Sequence, residues 1–185
     1  MINNKELINK LKEGQVILYP AETIWGIGCD ATNEEAVNKL IKIKYRNAFK
    51  GFIVLVDRFS QIYNYVVDVP EIAESLVEYA DSPLTIIYPK GRNLASNVCN
   101  EDGSIAIRVV KEGFPFEFLK TFGKPLVSTS ANISGEVSPK TFKEINPQII
   151  KSVDYIVDLP NIILKSKESS ILKLNINGEF KFIRQ

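Results

Sequence analysis

Asn33-Glu34-Glu35-Ala36-Val37-Asn38-Lys39-Leu40-Ile41-Lys42-Ile43-Lys44-Tyr45-Arg46-Asn47-Ala48-Phe49-Lys50-Gly51-Phe52-Ile53-Val54-Leu55-Val56 is the stretch whose reading decides the fold. Asn33 is suited to cap a helix, Glu34 and Glu35 would fill its first turn, and Ala36, Val37, Leu40, Ile41 and Ile43 form its apolar face. The helix ends on Lys44 and Arg46, where cations complement the negative end of the dipole. Residues 52–56 then form a continuous apolar run, as in a strand covered on both faces. A helix running directly into a buried strand is the signature of an α/β architecture.

The rest of the chain extends that pattern. Leu7, Ile8 and Leu11 stand at helical spacing within residues 5–12, and Gly14 ends the turn. Residues 15–19 read as a strand stopped by Pro20. Further strands are predicted over 84–88, 104–109, 126–128, 155–157, 171–174 and 179–183, and helices over 72–79 and 115–122. Strands alternating with helices predict an α/β (α+β) layered fold built on one sheet, and the short late strands make that sheet mixed. The 185 residues, 45% of them hydrophobic, are enough for one well-cored domain spanning 1–185. Residues 90–102, rich in Asn, Gly and Ser, read as a mobile surface loop.

The chain contains no histidine. That removes imidazole-based nucleophilic triads and most catalytic zinc sites, and leaves positioning, fixed charge, carboxylates, lysines or a substrate's own nucleophile. Cys29 and Cys99 lack a C-x-x-C spacing, so both read as small buried hydrophobes rather than as a disulfide or a metal site. No apolar run reaches the ~18 residues of a membrane span, and the first residues lack a signal-peptide pattern, so a cytoplasmic, membrane-free protein is expected.

The formal net charge of +1 hides local contrast. Residues 39–50 hold five cations and no acid, whereas 57–81 hold six acids against Arg58 alone. The cluster Lys44-x-Arg46-x-x-x-Lys50 suits a polyphosphate, although charge alone also fits a solvated helix end. Far downstream, Pro125-Leu126-Val127 leads into Ser128-Thr129-Ser130-Ala131-Asn132. That run of hydroxyls and an amide at a strand end can hold a polar substrate or simply cap a turn. Gly26-x-Gly28-x-x-Ala31 imitates a dinucleotide fingerprint. Pro20 to Trp25 separates it from the preceding strand, so these glycines are better read as letting the backbone pass close to a ligand or a neighbouring strand. There is no Walker phosphate loop, and Asn132-Ile133-Ser134 carries no weight as a glycosylation acceptor.

Five blocks, in order, resemble the YrdC/TsaC family of L-threonylcarbamoyladenylate synthases. They are Tyr19-Pro20-Ala21-Glu22-Thr23-Ile24-Trp25-Gly26-Ile27-Gly28; Lys44-Tyr45-Arg46 with Lys50; Ile105-Ala106-Ile107-Arg108-Val109; Gly123 through Gly135; and Ser169-Ser170-Ile171. The resemblance implies a layered YrdC-like fold with a twisted mixed β-sheet flanked by helices. It also implies the joining of L-threonine, bicarbonate or CO2, and ATP into threonylcarbamoyl-AMP and pyrophosphate, for the t6A modification of adenosine 37 in tRNA. The threonine carbamate is itself the nucleophile, which suits a histidine-free protein.

By the same resemblance, Lys44, Arg46 and Lys50 form the catalytic cationic group, with Arg46 and Lys50 on the triphosphate. Ser104, Ser130, Asn132, Ser138 and Arg184 would contact ATP. Thr23, Arg108, Ser128 and Ser170 or Ser169 would contact L-threonine, with Arg108 pairing the carboxylate. Mg2+ is implied with ATP, and neither an organic cofactor nor a dedicated metal site. The t6A transferase complex and tRNA itself are the implied partners. The chain ends soon after the late serines, as in the short type without an additional C-terminal domain. Ala21, Tyr45, Asn47, Leu55 and Lys173 depart from the common pattern. The alternative is a structured-RNA-binding protein of the same fold without synthase activity, its cations serving RNA phosphates.

Overall fold

The computed structural model describes residues 4–21, 24–47, 50–159 and 168–185. Nine strands join one sheet: β1 (Ile17–Pro20), β2 (Trp25–Asp30), β3 (Ile53–Val56), β4 (Leu84–Tyr88), β5 (Ile105–Val109), β6 (Leu126–Ser130), β7 (Tyr155–Ile156), β8 (Ser170–Leu174) and β9 (Phe180–Arg184). Their spatial order is β7-β1-β2-β6-β3-β5-β4-β8-β9. The sheet is mixed, as the short late strands predict. Strand β3 runs parallel to β5, β4 to β8 and β1 to β7, while the remaining neighbours are antiparallel.

Alternation along the strands divides the core in two. On one face Ile27, Cys29, Val54, Val56, Ile86, Ile107, Val127 and Leu172 pack beneath helices α2 (Glu34–Lys44), α3 (Ile62–Tyr65), α4 (Ile72–Glu78) and α6 (Pro147–Ser152). On the other, Ile17, Tyr19, Leu55 and Leu126 pack with Leu7 and Leu11 of α1 (Asn4–Lys12) and with Phe118, Leu119 and Phe122 of α5 (Gly113–Phe122). Two helices cover only part of that second face.

The opening stretch folds as its chemistry dictates. Asn33 is extended, and its side-chain oxygen accepts the Ala36 N–H at 3.0 Å, capping α2. The helix ends at Tyr45, whose left-handed backbone (φ 50°) sends its N–H back to Ile41 and Lys42 while Arg46 N–H reaches Ile41 O at 3.1 Å. This is a Schellman-type stop at a position that usually takes glycine.

Three readings of the sequence are corrected. Strand β2 was hidden in the glycine-rich block, which makes a hairpin with β1 that pairs Pro20 with Trp25, so Pro20 closes its strand from within. A Cβ on Gly28 would stand 2.1 Å from Val127 O, so this glycine exists for the close approach of β6. Residues 90–102 are not a loose loop: Val98 is buried, its carbonyl takes Phe52 N–H at 2.9 Å, and Ala95 N–H bonds Ala31 O at 2.9 Å. Cys99 is only half-buried, against the fully buried Cys29.

Tyr45 is 72% exposed, so its side chain offsets little of the strain of its left-handed backbone, roughly 1–2 kcal/mol for a non-glycine residue. Tyr45→Gly removes that strain and adds some unfolded-state entropy, so a net gain of about 1 kcal/mol is expected. Thermal denaturation should show a midpoint higher by roughly 2–4 °C, and an unchanged or lower midpoint would contradict the account.

Candidate functional site

The uncovered part of the second face is a cavity of about 310 Å³. Its floor follows from strand register. Across β6, β3, β5, β4, β8 and β9 runs one row of laterally paired residues: Leu126, Leu55, Arg108, Thr85, Ile171 and Arg184. Next to it runs Gly28, Ser128, Ile53, Ala106 and Ile87. Period-2 alternation therefore points Arg108 and Ser128 to the same side as the apolar floor. Arg108 is only 6% exposed.

Three arginines line this cavity, Arg46, Arg108 and Arg184, with the residues Ser128, Thr129, Ser130 and Ser169 and one acidic residue, Glu168. Arg184 is fixed by Nε and Nη2 bonds to Ser169 O (3.0 and 2.8 Å) and by an ion pair with Glu168. Ser138 Oγ donates to the other Glu168 oxygen at 3.1 Å. Such a cavity, rich in fixed cations with apolar floor patches, suits an anionic ligand with a small apolar part.

A second cavity, about 430 Å³, adjoins the first and is lined by Lys44, Tyr45, Arg46, Asn47, Lys50, Ser130, Asn132, Ser134 and Gly135. Arg46 and Ser130 line both. The Arg46 guanidinium donates to Lys50 O (3.1 Å) and Gly51 O (2.7 Å) and lies over the Phe52 ring at 4.7 Å. Burial lowers its pKa, from a starting point so high that it stays charged.

Lys44 differs from its neighbours in the cluster. It is 2% exposed, and its ammonium donates to Ser130 O (2.5 Å), Asn132 O (2.7 Å) and Asn132 Oδ1 (3.2 Å). Its own carbonyl accepts Ser134 N–H at 2.9 Å. Burial, and then the charge of Arg46, push its pKa down to about 7, while the three facing oxygens favour the ammonium. All three donors of Lys44 are thus directed at the turn after β6, so its charge reaches the second cavity, which it also lines, as part of the local positive field rather than as a free hydrogen-bond donor.

The other sequence-predicted residues fall in four groups. Arg46, Lys50, Arg108, Ser128, Ser130, Asn132, Ser169 and Arg184 line one cavity or the other. Ser104 and Ser138 stand behind the walls. Ser104 Oγ donates to Asp102 and accepts from Asn100 Nδ2 at 2.9 Å, and Ser138 braces Glu168. Ser170 sits one residue out of phase with Ser169, whose hydroxyl meets Thr85 Oγ1 at 2.8 Å, and it lines neither cavity. Thr23 lies outside the described residues.

Sequence reasoning missed Asn100 and Glu168 on the walls and Tyr19 beneath them. Asn100 Oδ1 accepts Gly51 N–H at 3.0 Å, a tertiary contact with no sequence signal. Among the described residues no helix is long and apolar enough to cross a membrane, and no group of three acidic or cysteine side chains stands together as a metal site.

A family model denoted Sua5_yciO_yrdC and described as "Telomere recombination" matches residues 9–185. The chain is 34% identical over 175 residues to a threonylcarbamoyl-AMP synthase of Pseudoalteromonas translucida, covering 93% of this chain and 92% of that protein. It is 35% identical over 188 residues to a protein of the same name from Wigglesworthia glossinidia brevipalpis, covering 99% and 93%. Among solved structures it resembles P. abyssi Sua5 complexed with L-threonine, with a TM-score of 0.84 and 25% identity over 92% of this chain. The chain spans 50% of that protein's length. E. coli YciO shares the fold, with a TM-score of 0.80 at 20% identity over 98% of this chain and 88% of that one.

Lys44→Met keeps the side-chain length and removes the ammonium, leaving the Ser130 and Asn132 carbonyls without their buried donor. The expected loss is about 3 kcal/mol, since each unsatisfied buried acceptor costs roughly 1–3 kcal/mol. Lys44→Arg should not restore it, because a planar fork does not match three oxygens converging on one point. Urea denaturation of both variants checks this, and wild-type stability in either would count against the clamp.

Proposed function

The chain belongs to the Sua5/YciO/YrdC family, and from that premise we propose that it is a threonylcarbamoyl-AMP synthase. It joins L-threonine, CO2 from bicarbonate, and ATP, releasing pyrophosphate, and its product supplies the t6A37 modification of tRNA. One observation carries this reading: two adjoining cavities, one suited to a small amino-acid anion and one to a polyphosphate, share Arg46 and Ser130. A reaction that couples an amino-acid carbamate to a nucleotide needs such a shared wall.

The chemistry balances without a covalent enzyme intermediate. The neutral threonine amine adds to CO2, forming the N–C bond and releasing a proton. A carbamate oxygen then attacks the α-phosphorus while the bond to the bridging oxygen breaks and pyrophosphate departs. Arg108 pairs the threonine carboxylate, with Ser128 and Ser169 beside it and Thr23 as a further contact. Arg46 and Lys50 neutralise charge growing on pyrophosphate. Ser130, Asn132 and Arg184 hold the nucleotide, while Ser104 and Ser138 act through Asn100 and Glu168. Mg2+ would accompany ATP and offset part of the triphosphate charge, and among the described residues no cluster of acidic side chains would hold it. The t6A transferase complex, and tRNA itself, receive the product.

The RNA-binding alternative is not favoured. Within the cationic cluster Lys44 is buried and Arg46 is half-buried and turned into the two cavities, which leaves Lys50 exposed. A dedicated RNA face would present its cations to solvent.

Purified protein should release pyrophosphate from ATP only when L-threonine and bicarbonate are both present, with serine a poor substitute. Release without either, or none at all, would sink the assignment. Arg46→Ala is expected to lower kcat/KM for ATP about a hundredfold, near 2.7 kcal/mol, with the circular dichroism spectrum unchanged. Arg108→Ala should raise the threonine KM far more than the ATP KM. Equal changes in the two would contradict its carboxylate role.

A further inference from the structure

The geometry points to Tyr19 as a positioning residue that aims the Ser128 hydroxyl into the amino-acid cavity, an inference that rests on the synthase reading. Tyr19 is fully buried on β1, and its phenol donates to Ser128 Oγ at 2.5 Å across β2. Its ring packs over the glycine pair of β2. A Cβ on Gly26 would stand 3.4 Å from the ring Cζ, and one on Gly28 3.3 Å from Cε1. The ring thus lies against the bare backbone of the two glycines, and its hydroxyl reaches across β2 to Ser128.

A serine hydroxyl has one proton and two lone pairs. Accepting the Tyr19 proton occupies one lone pair and turns the Ser128 O–H away from β1. Ser128 lines the cavity, so its proton is offered to whatever anion lies there. The bond also polarises the serine, making it a stronger donor. Burial pushes the Tyr19 pKa up to about 12, the Ser128 bond and the Arg108 charge pulling the other way, so the phenol stays protonated through the neutral range and does not become an acceptor. Arg108 and Ser128 point to the same face of the sheet and line the same cavity, which places guanidinium and serine around one locus. A carboxylate there meets a planar cation on one side and an aimed O–H on the other.

The test is kinetic. Tyr19→Phe keeps the ring against Gly26 and Gly28 and deletes only the donor. The threonine KM should rise about tenfold, with kcat and the ATP KM within about twofold of wild type. Ser128→Ala should show a similar threonine defect, and Tyr19→Phe with Ser128→Ala should be no worse than Ser128→Ala alone, because Tyr19 acts through that hydroxyl. Additive defects, or threonine and ATP KM values that move together, would overturn the inference. Should Tyr19→Phe fail to fold, 3-fluorotyrosine at position 19 supplies a stronger donor in nearly the same volume. A lower threonine KM supports the role, and an unchanged or higher one refutes it. Unmodified protein run in parallel separates the two ideas. If it shows no threonine-dependent pyrophosphate release, the synthase reading fails. If it turns over while Tyr19→Phe keeps a wild-type threonine KM, only the Tyr19 inference fails.

Discussion

The antiparallel contact of β2 with β6 is the constraint on which the site depends. With no side chain on Gly28, the Val127 carbonyl can stand where a Cβ would otherwise lie, 2.1 Å from that position. The close approach sets the register Gly26↔Ser130 and Gly28↔Ser128, which carries the hydroxyl-bearing end of β6 to the edge of the cavity. The neighbouring register Ser128↔Ile53, followed by Leu55↔Arg108, then brings Arg108 to the same face. A one-residue slip would turn Ser128 and Arg108 into the opposite core, where Val127 and Ile107 now pack. Burying a charge and a hydroxyl among those apolar side chains would cost several kcal/mol, so the same pairing that builds the sheet also enforces the site.

Unequal helix coverage does the rest. Four helices seal one face of the sheet, and residues pointing that way are apolar almost without exception. Helices α1 and α5 cover the other face only where Ile17, Leu55 and Leu126 meet Phe118 and Leu119. Beyond them the strands carry Arg108, Ser128 and Arg184, and the entry to β8 carries Ser169, into the cavity. The sheet is therefore rigid scaffold on one side and binding surface on the other.

This division explains what the sequence could reveal. The run from Asn33 to Val56 was legible because capping, amphipathic spacing and a buried strand are local signals, and α2 and β3 formed where they predicted. The run at 84–88 was legible for the same reason. Strand β2 was not, because two glycines and a tryptophan erase both alternation and β-propensity. Its strand character comes from tertiary pairing on two sides. The site was legible where fixed cations and hydroxyls cluster in sequence, and illegible where it depends on distant partners. Asn100 matters through Gly51, Glu168 through Arg184 and Ser138, and Ser169 rather than its neighbour faces the cavity through strand phase.

The Lys-x-Arg pair shows how geometry divides labour between two residues that sequence treats as one positive patch. At the last turn of α2 the Lys44 side chain turns inward, and a compact ammonium suits three oxygens converging on one buried point. Past the left-handed Tyr45 the chain has changed direction, so Arg46 emerges between the two cavities. Its planar group rests one face on Phe52 and spends two donors on the carbonyls of Lys50 and Gly51. The fork still keeps N–H groups for an anion, which a lysine held by the same carbonyls could scarcely do. Exchanging the two residues would thus fail at both positions, the lysine lacking donors for the cavity and the arginine lacking a shape for the clamp.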